Sequence, residues 1–463
     1  MCRVSSQRDH VGLIAAPTYA RVVPAHLTLP SWLASMSLVD SAVSGTVLML
    51  SVLLGVVALA RRRSRRAALV AAGTIAGSVL AAALALTALL DLGPGVGVAV
   101  PFAGRAWVVV AVAGLAVGVA AIAGARWWHR LAGAAAAVSA ITAAALGVNA
   151  VFGVYPTVAD LWGRPAPPAL ADVASGEHGS VEAVGTDYVS TAAGGAPVPA
   201  AGAVVSATIP ATVSHFAARP ATIYLPPAAL TAHPPVLPVV LAFSGQPGSP
   251  SDLFTFGGLA TVLDTFAAAH HGFAPIVISP DQLGAPSSNP MCVDSTLGNV
   301  DTYVATDVVA WAKSHFRVSS SPLAWGVLGF SEGATCSTQF AVTHPDVFAS
   351  ALAISSELVP TIGADTVKIA FRGSATEYAR HHPLALMHAH GPFRDSRVTF
   401  VAGEQDPLFV TAARQLAAGA RAVAIAADVL ISPGTGHDWN TVRWGLRHGL
   451  AGFFGHLGLI PAH

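Results

Sequence analysis

A serine stands between two glycines in the segment Gly329-Phe-Ser-Glu-Gly333, with the apolar run AWGVL before it and the helix-compatible run ATCSTQFAVTH after it. This spacing between a strand and a helix is typical of the sharp turn that lifts a serine out of a sheet. A serine hydroxyl becomes a nucleophile only when a nearby base takes its proton. The pattern predicts nucleophilic chemistry at Ser331; the alternative is an ordinary strand-to-helix turn.

A base and an acid follow this serine in the chain order that such chemistry uses. His437 lies in the turn PGTGHDWN after the run VLIS, and Asp406 lies in GEQDP after the run VTFVA. A carboxylate after one strand can orient an imidazole after the next. We therefore predict a catalytic triad of Ser331, Asp406 and His437. Glu404 is the alternative acid, and Asp438 is a third candidate.

The other histidines include two close pairs that could suggest a metal site. The chain has 18 histidines, among them His381-His382 and the pair His388 and His390. Neither pair has a cysteine or carboxylate at the spacing that metal ligands use. We expect no metal, and the triad needs no organic cofactor.

Acyl chemistry at a serine also needs backbone N–H groups aimed at the developing oxyanion. One should come from Glu332, directly after the serine. The other should come from the loop after an early strand, and the run LPVVLAF is followed by SGQPGS at 244–249. We assign this second donor to Gln246, with Gly245 as the next choice; a plain Gly/Pro turn is the alternative.

The first third of the chain is too apolar for an ordinary soluble domain. The 463 residues are 53% hydrophobic and 10% charged, and the mean hydropathy is +0.61. Four runs without charged residues, each long enough to cross a bilayer, lie at about 41–60, 67–90, 106–125 and 131–153. We predict four transmembrane helices within residues 37–155. They carry no ionisable group, which favours an anchor over a transporter.

The connectors between these runs predict the orientation in the membrane. The connectors 61–66 (RRRSRR) and 126–130 (RWWHR) are rich in arginine, and arginine-rich loops stay in the cytoplasm. The C-terminal part should then lie outside the plasma membrane. The leader at 1–36 fits this topology poorly because its arginines would lie outside, and a translation start at Met36 would remove the conflict.

After a Pro- and Gly-rich stretch at 156–200, which we interpret as a linker, the pattern changes. Short β-type runs occur at 221–225, 237–243, 275–279, 324–330, 349–355, 368–372, 397–402 and 427–432. Helix-compatible segments such as 252–270, 299–316 and 334–344 lie between them. Strands that alternate with helices predict an α/β domain at 201–463, with a mostly parallel sheet covered on both faces.

Two of the three cysteines, Cys292 and Cys336, belong to this outer domain. An oxidising compartment permits a disulfide between them, with two separate buried thiols as the alternative. The formal net charge is zero, so nothing in the overall charge favours a nucleic-acid partner.

With these residues identified, the segment at about 200–460 resembles the esterase D group of α/β-hydrolases, which includes enterochelin-esterase-like proteins and mycolyltransferases of the actinobacterial envelope. The resemblance lies in ARPATIYLPPA, LPVVLAFSGQPGS, GFSEGATCSTQFAVTHPDVFASALAISSE and GTGHDWNTVRWGL. It implies an α/β-hydrolase fold with Ser331 as nucleophile, His437 as base and Asp406 or Glu404 as acid. Mycolyltransferases are usually secreted, however, whereas this chain has four apolar spans.

Together these features predict a membrane-anchored, extracytoplasmic serine esterase that acts on acyl esters, with a lipid or glycolipid as one possible substrate. The first alternative is a cell-envelope acyltransferase that uses a sugar or lipid hydroxyl as acceptor. The second is a catalytically silent scaffold that binds the envelope. The sequence leaves the acyl chain, the acceptor and the oligomeric state open.

Overall fold

The computed structural model describes residues 30–60, 65–91, 100–122, 126–163, 166–172, 179–181 and 198–459. Most of the leader, residues 61–64 of the first arginine-rich connector and much of the predicted linker lie outside the described residues.

The N-terminal part consists of helices. They are α1 (Ser31–Ala34), α2 (Ser41–Leu59), α3 (Arg65–Asp91), α4 (Phe102–Ile122) and α5 (Trp127–Phe152). The four long helices α2–α5 are long and apolar enough to cross a membrane, as predicted. Helices α4 and α5 begin about one turn earlier than the apolar runs suggested. A long charged side chain near the end of a membrane helix can extend to the bilayer surface. Residues 127–130 of the arginine-rich connector can therefore form the first turn of α5.

Small residues let three of these helices approach closely. A Cβ added at Gly114 of α4 would collide with Ala140 of α5. The Ser51 hydroxyl of α2 donates a hydrogen bond to the Ala136 carbonyl of α5 at 2.8 Å. Contacts through small residues and interhelical hydrogen bonds are the usual way in which apolar helices associate in lipid.

The C-terminal part is built on an eight-stranded sheet. The strands described are β1 (Gly179–Val181), β2 (Ala203–Ala207), β3 (Ala221–Leu225), β4 (Val239–Phe243), β5 (Ile276–Ser279), β6 (Asp294–Ser295), β7 (Gly298–Asn299), β8 (Arg317–Ser319), β9 (Trp325–Phe330), β10 (Ser350–Ile354), β11 (Arg397–Gly403) and β12 (Ala426–Ser432). Outside the large sheet, β1 pairs with β8 and β6 pairs with β7. The large sheet has the order β12-β11-β10-β9-β4-β5-β3-β2. Strands β4, β5 and β9–β12 are parallel, while β3 pairs antiparallel to both β2 and β5.

Helices cover both faces of this sheet. They are α6 (Asp252–Thr255), α7 (Leu259–Ala269), α8 (Val300–Thr302), α9 (Val309–His315), α10 (Glu332–Thr343), α11 (Thr366–Ala370), α12 (Ala375–Arg380), α13 (Pro383–His390), α14 (Pro407–Ala422) and α15 (Trp439–His456). One apolar cluster includes Phe340 of α10 and Leu416 of α14. A second includes Leu263 of α7 and Leu446 of α15. This arrangement confirms the predicted α/β fold.

One predicted strand is wrong. The run 368–372 was expected to be a strand, but residues 366–370 form the short helix α11. Strands β10 and β11 are direct neighbours in the sheet, so no position between them is open to another strand. A five-residue apolar run does not by itself separate a strand from one helical turn. The expected helix at 252–270 is also interrupted, since α6 ends at Thr255 and Gly258 adopts a positive φ of 69° before α7.

Candidate active site

Ser331 occupies the turn between β9 and α10. Its φ of 58° and ψ of −120° place a non-glycine residue in a strained conformation. A Cβ at Gly329 would collide with the Gly333 carbonyl, and one at Gly333 would collide with the Phe243 carbonyl of β4. The sharp turn therefore requires both glycines.

The structure brings His437 to this serine and Asp406 to the histidine. The His437 Nε2 atom lies 2.8 Å from the Ser331 hydroxyl oxygen, and Nδ1 lies 3.1 Å from an Asp406 carboxylate oxygen. The side chains of His437 and Asp406 are only 7% and 6% exposed. The rings of Phe409 and Phe330 lie 4.2 and 5.0 Å from the imidazole, measured between centroids. These neighbours hold the imidazole in a largely dry position.

The two other candidate acids have different partners. The Glu404 carboxylate accepts a hydrogen bond from the Gly434 N–H at 2.8 Å. The Asp438 carboxylate accepts from the Gly436 N–H at 2.7 Å and from the Thr441 N–H at 2.9 Å. Asp438 therefore caps α15 and shapes the turn that carries His437, whereas Asp406 is the carboxylate that meets the imidazole.

Both segments expected to form the oxyanion site flank the serine. Glu332 is the first residue of α10, where a backbone N–H has no acceptor within the helix. On the other side, a Cβ at Gly245 would lie 3.2 Å from the Ser331 Cβ, which places this loop in contact with the nucleophile turn. The Gln246 side chain donates to the Ser287 carbonyl at 2.9 Å and lines the adjacent cavity.

That cavity has a volume of about 1000 Å³ and includes Ser331 in its wall. Apolar side chains such as Phe216, Leu283 and Phe409 alternate in its lining with serine and asparagine side chains. No lysine or arginine is among the lining residues, which are all described by the structure. Its lining includes two carboxyl groups, those of Glu332 and Glu357. A pocket with apolar groups, carboxyl groups and no lysine or arginine in its wall suits a neutral organic substrate better than an anion.

Two buried carboxyl groups lie behind the serine. Burial raises the pKa of Glu332 to about 8, with further increases from the charges of Glu357 and Asp281. Burial raises the pKa of Glu357 to about 7. One oxygen of Glu332 accepts a hydrogen bond from the Gln282 side chain at 3.0 Å. Both carboxyls are therefore readily protonated near neutral pH.

Gln282 is a site residue that the sequence analysis missed. Its side-chain amide also donates to the Ser244 carbonyl at 2.7 Å, so it ties the loop before Gly245 to the first turn of α10. Next to it, Asp281 forms an ion pair with Arg219 at 2.7 Å. The signal was present in the sequence, because these residues follow a parallel strand at its carboxyl end, where α/β proteins place their sites.

A disulfide joins Cys292 and Cys336, whose Cα atoms are 5.3 Å apart. The two sulfur atoms and the Glu332 carboxylate lie close enough together to resemble a metal-ligand set. Disulfide sulfurs are not thiolates, however, and thiolates are the form that binds zinc. We therefore infer no metal site from this cluster.

The two histidine pairs are described by the structure, and none of their four members lines the cavity beside Ser331. His381 is 3.4 Å from the Glu377 carboxylate within α12 and the turn that follows it, and His382 precedes α13. His388 and His390 are in the last turn of α13, where a histidine can interact favourably with the helix dipole.

Comparison with known proteins gives a family match in the C-terminal part and one related protein. Residues 217–445 match a family model described as a putative esterase. A Corynebacterium glutamicum protein described as uncharacterized is 33% identical over 286 residues, which are 60% of this chain and 65% of that protein. The match therefore spans just under two thirds of this relative's length.

Comparison with solved structures gives distant superpositions, each over a little more than half of this chain. A ferulic acid esterase is 16% identical with a TM-score of 0.46, covering 56% of this chain and 99% of that chain. S-formylglutathione hydrolase from Agrobacterium tumefaciens is 17% identical with a TM-score of 0.45, covering 56% and 98%. Mycobacterium tuberculosis MPT51 is 16% identical with a TM-score of 0.41, covering 55% and 98%.

Proposed function

We propose that this chain, whose residues 217–445 match a family model described as a putative esterase, is a membrane-anchored serine esterase that cleaves acyl esters. The observation that carries the proposal is the continuous contact from Asp406 through His437 to Ser331 at the wall of a large cavity. Ser331 is the nucleophile, His437 the general base and Asp406 the residue that orients the base.

In the first step, His437 Nε2 takes the proton of the Ser331 hydroxyl as its oxygen attacks the ester carbonyl carbon. The Asp406 carboxylate accepts a hydrogen bond from Nδ1–H, which fixes the tautomer and stabilises the imidazolium as it forms. The imidazolium then gives its proton to the leaving alcohol, and the acyl group remains on Ser331. Water or an alcohol then attacks the acyl carbon while the same imidazole takes its proton. The acyl group passes to this acceptor, and the proton returns to the Ser331 oxygen.

The tetrahedral intermediate carries a negative charge on the former carbonyl oxygen. We assign its stabilisation to the backbone N–H groups of Glu332 and Gln246, whose segments flank Ser331. An aimed donor of this kind contributes ~3 kcal/mol to the stability of the transition state. The amino end of α10 adds the positive end of a helix dipole at the same place.

If water receives the acyl group from Ser331, the enzyme is an esterase. If an alcohol receives it, the enzyme is an acyltransferase. The volume of the cavity is larger than a short acyl ester needs. It therefore has room for an acyl chain together with an acceptor molecule. Both acceptors are compatible with the triad and the fold, so kinetic measurements must identify the acceptor.

We also propose that the C-terminal domain lies on the extracytoplasmic side of the plasma membrane. Two features support this side. The connectors at 61–66 and 126–130 are rich in arginine, which keeps such loops in the cytoplasm. The Cys292–Cys336 disulfide suits an oxidising compartment.

The test is an ester-hydrolysis assay on the purified full-length chain in detergent micelles, with p-nitrophenyl butyrate as substrate. The proposal expects turnover by the unaltered chain and none above background for Ser331→Ala. Turnover that accelerates on addition of alcohols or sugars identifies an acyltransferase. A folded chain that is inactive on esters of several chain lengths would instead indicate a scaffold.

A further inference from the structure

The end of α5 is bonded to α15 one turn beyond His437. The Asn440 side-chain amide donates hydrogen bonds to the Ala150 and Val151 carbonyls at 3.0 and 3.1 Å. The Arg443 guanidinium donates to the Gly153 carbonyl at 2.8 Å. The last carbonyl groups of a helix have no partner within the helix. Side chains of α15 therefore satisfy the carboxyl end of an apolar helix that lies about 290 residues earlier in the chain.

Gly153 fits this contact in two ways. Its φ of 67° is in the left-handed region that ends α5, a conformation that favours glycine. A Cβ at this position would also collide with the side chains of Arg443 and Asn440. We call Gly153, Asn440 and Arg443 the α5–α15 joint.

A second contact lies on the other side of His437. A Cβ added at Gly436, the residue directly before the histidine, would lie 3.6 Å from the Pro101 ring. Pro101 directly precedes α4. The turn that carries His437 therefore lies close to the start of α4, with room for little more than a methyl group between them. The helix that follows this turn, α15, is hydrogen-bonded to the end of α5.

From the joint, contacts continue to the imidazole itself. The Arg443 guanidinium donates a second hydrogen bond to the Phe256 carbonyl at 2.7 Å. The Phe256 ring lies 5.3 Å from Trp439, and Trp439 lies 5.3 Å from Phe330, both measured between ring centroids. Phe330 in turn flanks the His437 ring. Each of these contacts constrains the position of the next aromatic ring.

We propose that the four long apolar helices act as a positioning element for the catalytic base, in addition to serving as an anchor. In this inference, which rests on the proposed function, the α5–α15 joint fixes the first turn of α15 and thereby the direction from His437 Nε2 to the Ser331 hydroxyl. Asn440 and Arg443 touch neither substrate nor reacting atoms, so they are positioning residues. A small displacement of a base is enough to lower the rate of proton transfer by ~100-fold.

The test introduces a methyl group on the α5 side, far from α15 in sequence. Gly153→Ala places the methyl against Arg443 and Asn440. Gly163→Ala is a matched control, because Gly163 also has a positive φ of 74° but no atom within 4 Å of an added Cβ. Both variants are measured as full-length chains in detergent micelles, for kcat and KM on p-nitrophenyl butyrate and for the rate of fluorophosphonate labelling.

We expect Gly153→Ala to lower kcat and the labelling rate by ~10-fold or more, within the range that misplacement of a catalytic group produces, with KM changed less than ~2-fold. Gly163→Ala should retain the unaltered kcat. A purely structural role of the joint would instead lower the thermal midpoint of Gly153→Ala without this selective loss of kcat.

Two substitutions on α15 keep the inference testable if Gly153→Ala does not fold. Asn440→Asp keeps the size of the side chain and its bond to Arg443, but its carboxylate cannot donate to the α5 carbonyls. Arg443→Met removes the guanidinium donors, and Arg443→Lys restores a cation with donors. We expect kcat to fall in Asn440→Asp and Arg443→Met, with partial recovery in Arg443→Lys.

The outcomes separate the inference from the proposed function. If the unaltered chain is labelled but the joint variants keep its kcat, the inference is overturned and the proposed function stands. If the folded, unaltered chain is neither labelled nor active, the proposed function is overturned, and the inference with it.

Discussion

Asp406 and His437 face each other across 3.1 Å in a site where both side chains are almost fully buried. A buried carboxylate beside an imidazole holds one tautomer of the ring, and it stabilises the positive charge that forms when the ring takes a proton. Glu404 is two residues away in sequence but bonds to a backbone N–H of the next loop. The two carboxylates therefore differ in their effect on the base.

This difference predicts unequal effects of two matched substitutions. Asp406→Asn should lower kcat by ~10²- to 10⁴-fold, because the amide favours the wrong tautomer of His437. Glu404→Gln should leave kcat within ~3-fold of the unaltered chain, because the amide oxygen can still accept from the Gly434 N–H. Steady-state kinetics on p-nitrophenyl butyrate measure both. The reverse order of effects would make Glu404 the acid.

The raised pKa of Glu332 predicts how stability depends on pH. Its native value of about 8 lies above its ordinary value of 4.5, so the native state binds the proton more tightly than the unfolded state. Its contribution is therefore fully present below pH ~4.5 and is lost as the pH rises through about 8. Glu357, with a native pKa of about 7, acts in the same direction.

Thermal unfolding of the full chain should then show a midpoint that falls between pH 5 and pH 8. Glu332→Gln should reduce this fall, because the amide stays neutral and can still accept from Gln282. Asp365→Asn, at an exposed position directly before α11, is the control and should leave the slope unchanged. A slope that is the same in the unaltered chain and in Glu332→Gln would contradict this prediction.

The disulfide between Cys292 and Cys336 closes a loop with a sequence separation of 44 residues. In the chain-entropy description, a loop of this length gives a stabilisation of ~2–4 kcal/mol. The Cys292→Ser/Cys336→Ser double variant should therefore have a lower thermal midpoint. Reductant should lower the midpoint of the unaltered chain and leave that of the double variant unchanged. Equal sensitivity of both chains to reductant would mean that the bond is not formed in the purified protein.

The orientation of the chain can be tested with reporter fusions. Alkaline phosphatase matures only in an oxidising compartment, so a fusion after residue 463 should be active if the C-terminal domain lies outside. A fusion directly after the arginine-rich segment 61–66 should be inactive, because that loop should stay inside. Activity in the opposite pattern would place the esterase domain in the cytoplasm.

Local patterns were enough to predict the sharp strand-to-helix turn at Ser331 and the long helices. The glycines around Ser331 are required by contacts within a few residues and by β4, and such a turn has a recognisable spacing. Four long charge-free runs identify apolar helices from composition alone. The order of β9, β11 and β12 along the chain also placed the acid and base candidates after the right strands.

Other features depend on contacts that no local pattern encodes. Residues 366–370 have an apolar run that fits either a strand or a helical turn, and only the neighbouring positions of β10 and β11 exclude the strand. The bonds from Asn440 and Arg443 to the end of α5 join segments about 290 residues apart. A single sequence carries no periodic signal for such a contact, so the joint could be found only in the structure.

The central claim is that the hydroxyl of Ser331 is activated by His437, and active-site labelling tests it most directly. The full-length chain in detergent micelles is treated with a fluorophosphonate, digested and mapped by mass spectrometry. The proposed function predicts a single adduct on Ser331, absent in Ser331→Ala and formed at a strongly reduced rate in His437→Ala. A folded chain that forms no adduct, or one that is modified equally fast in His437→Ala, would contradict it.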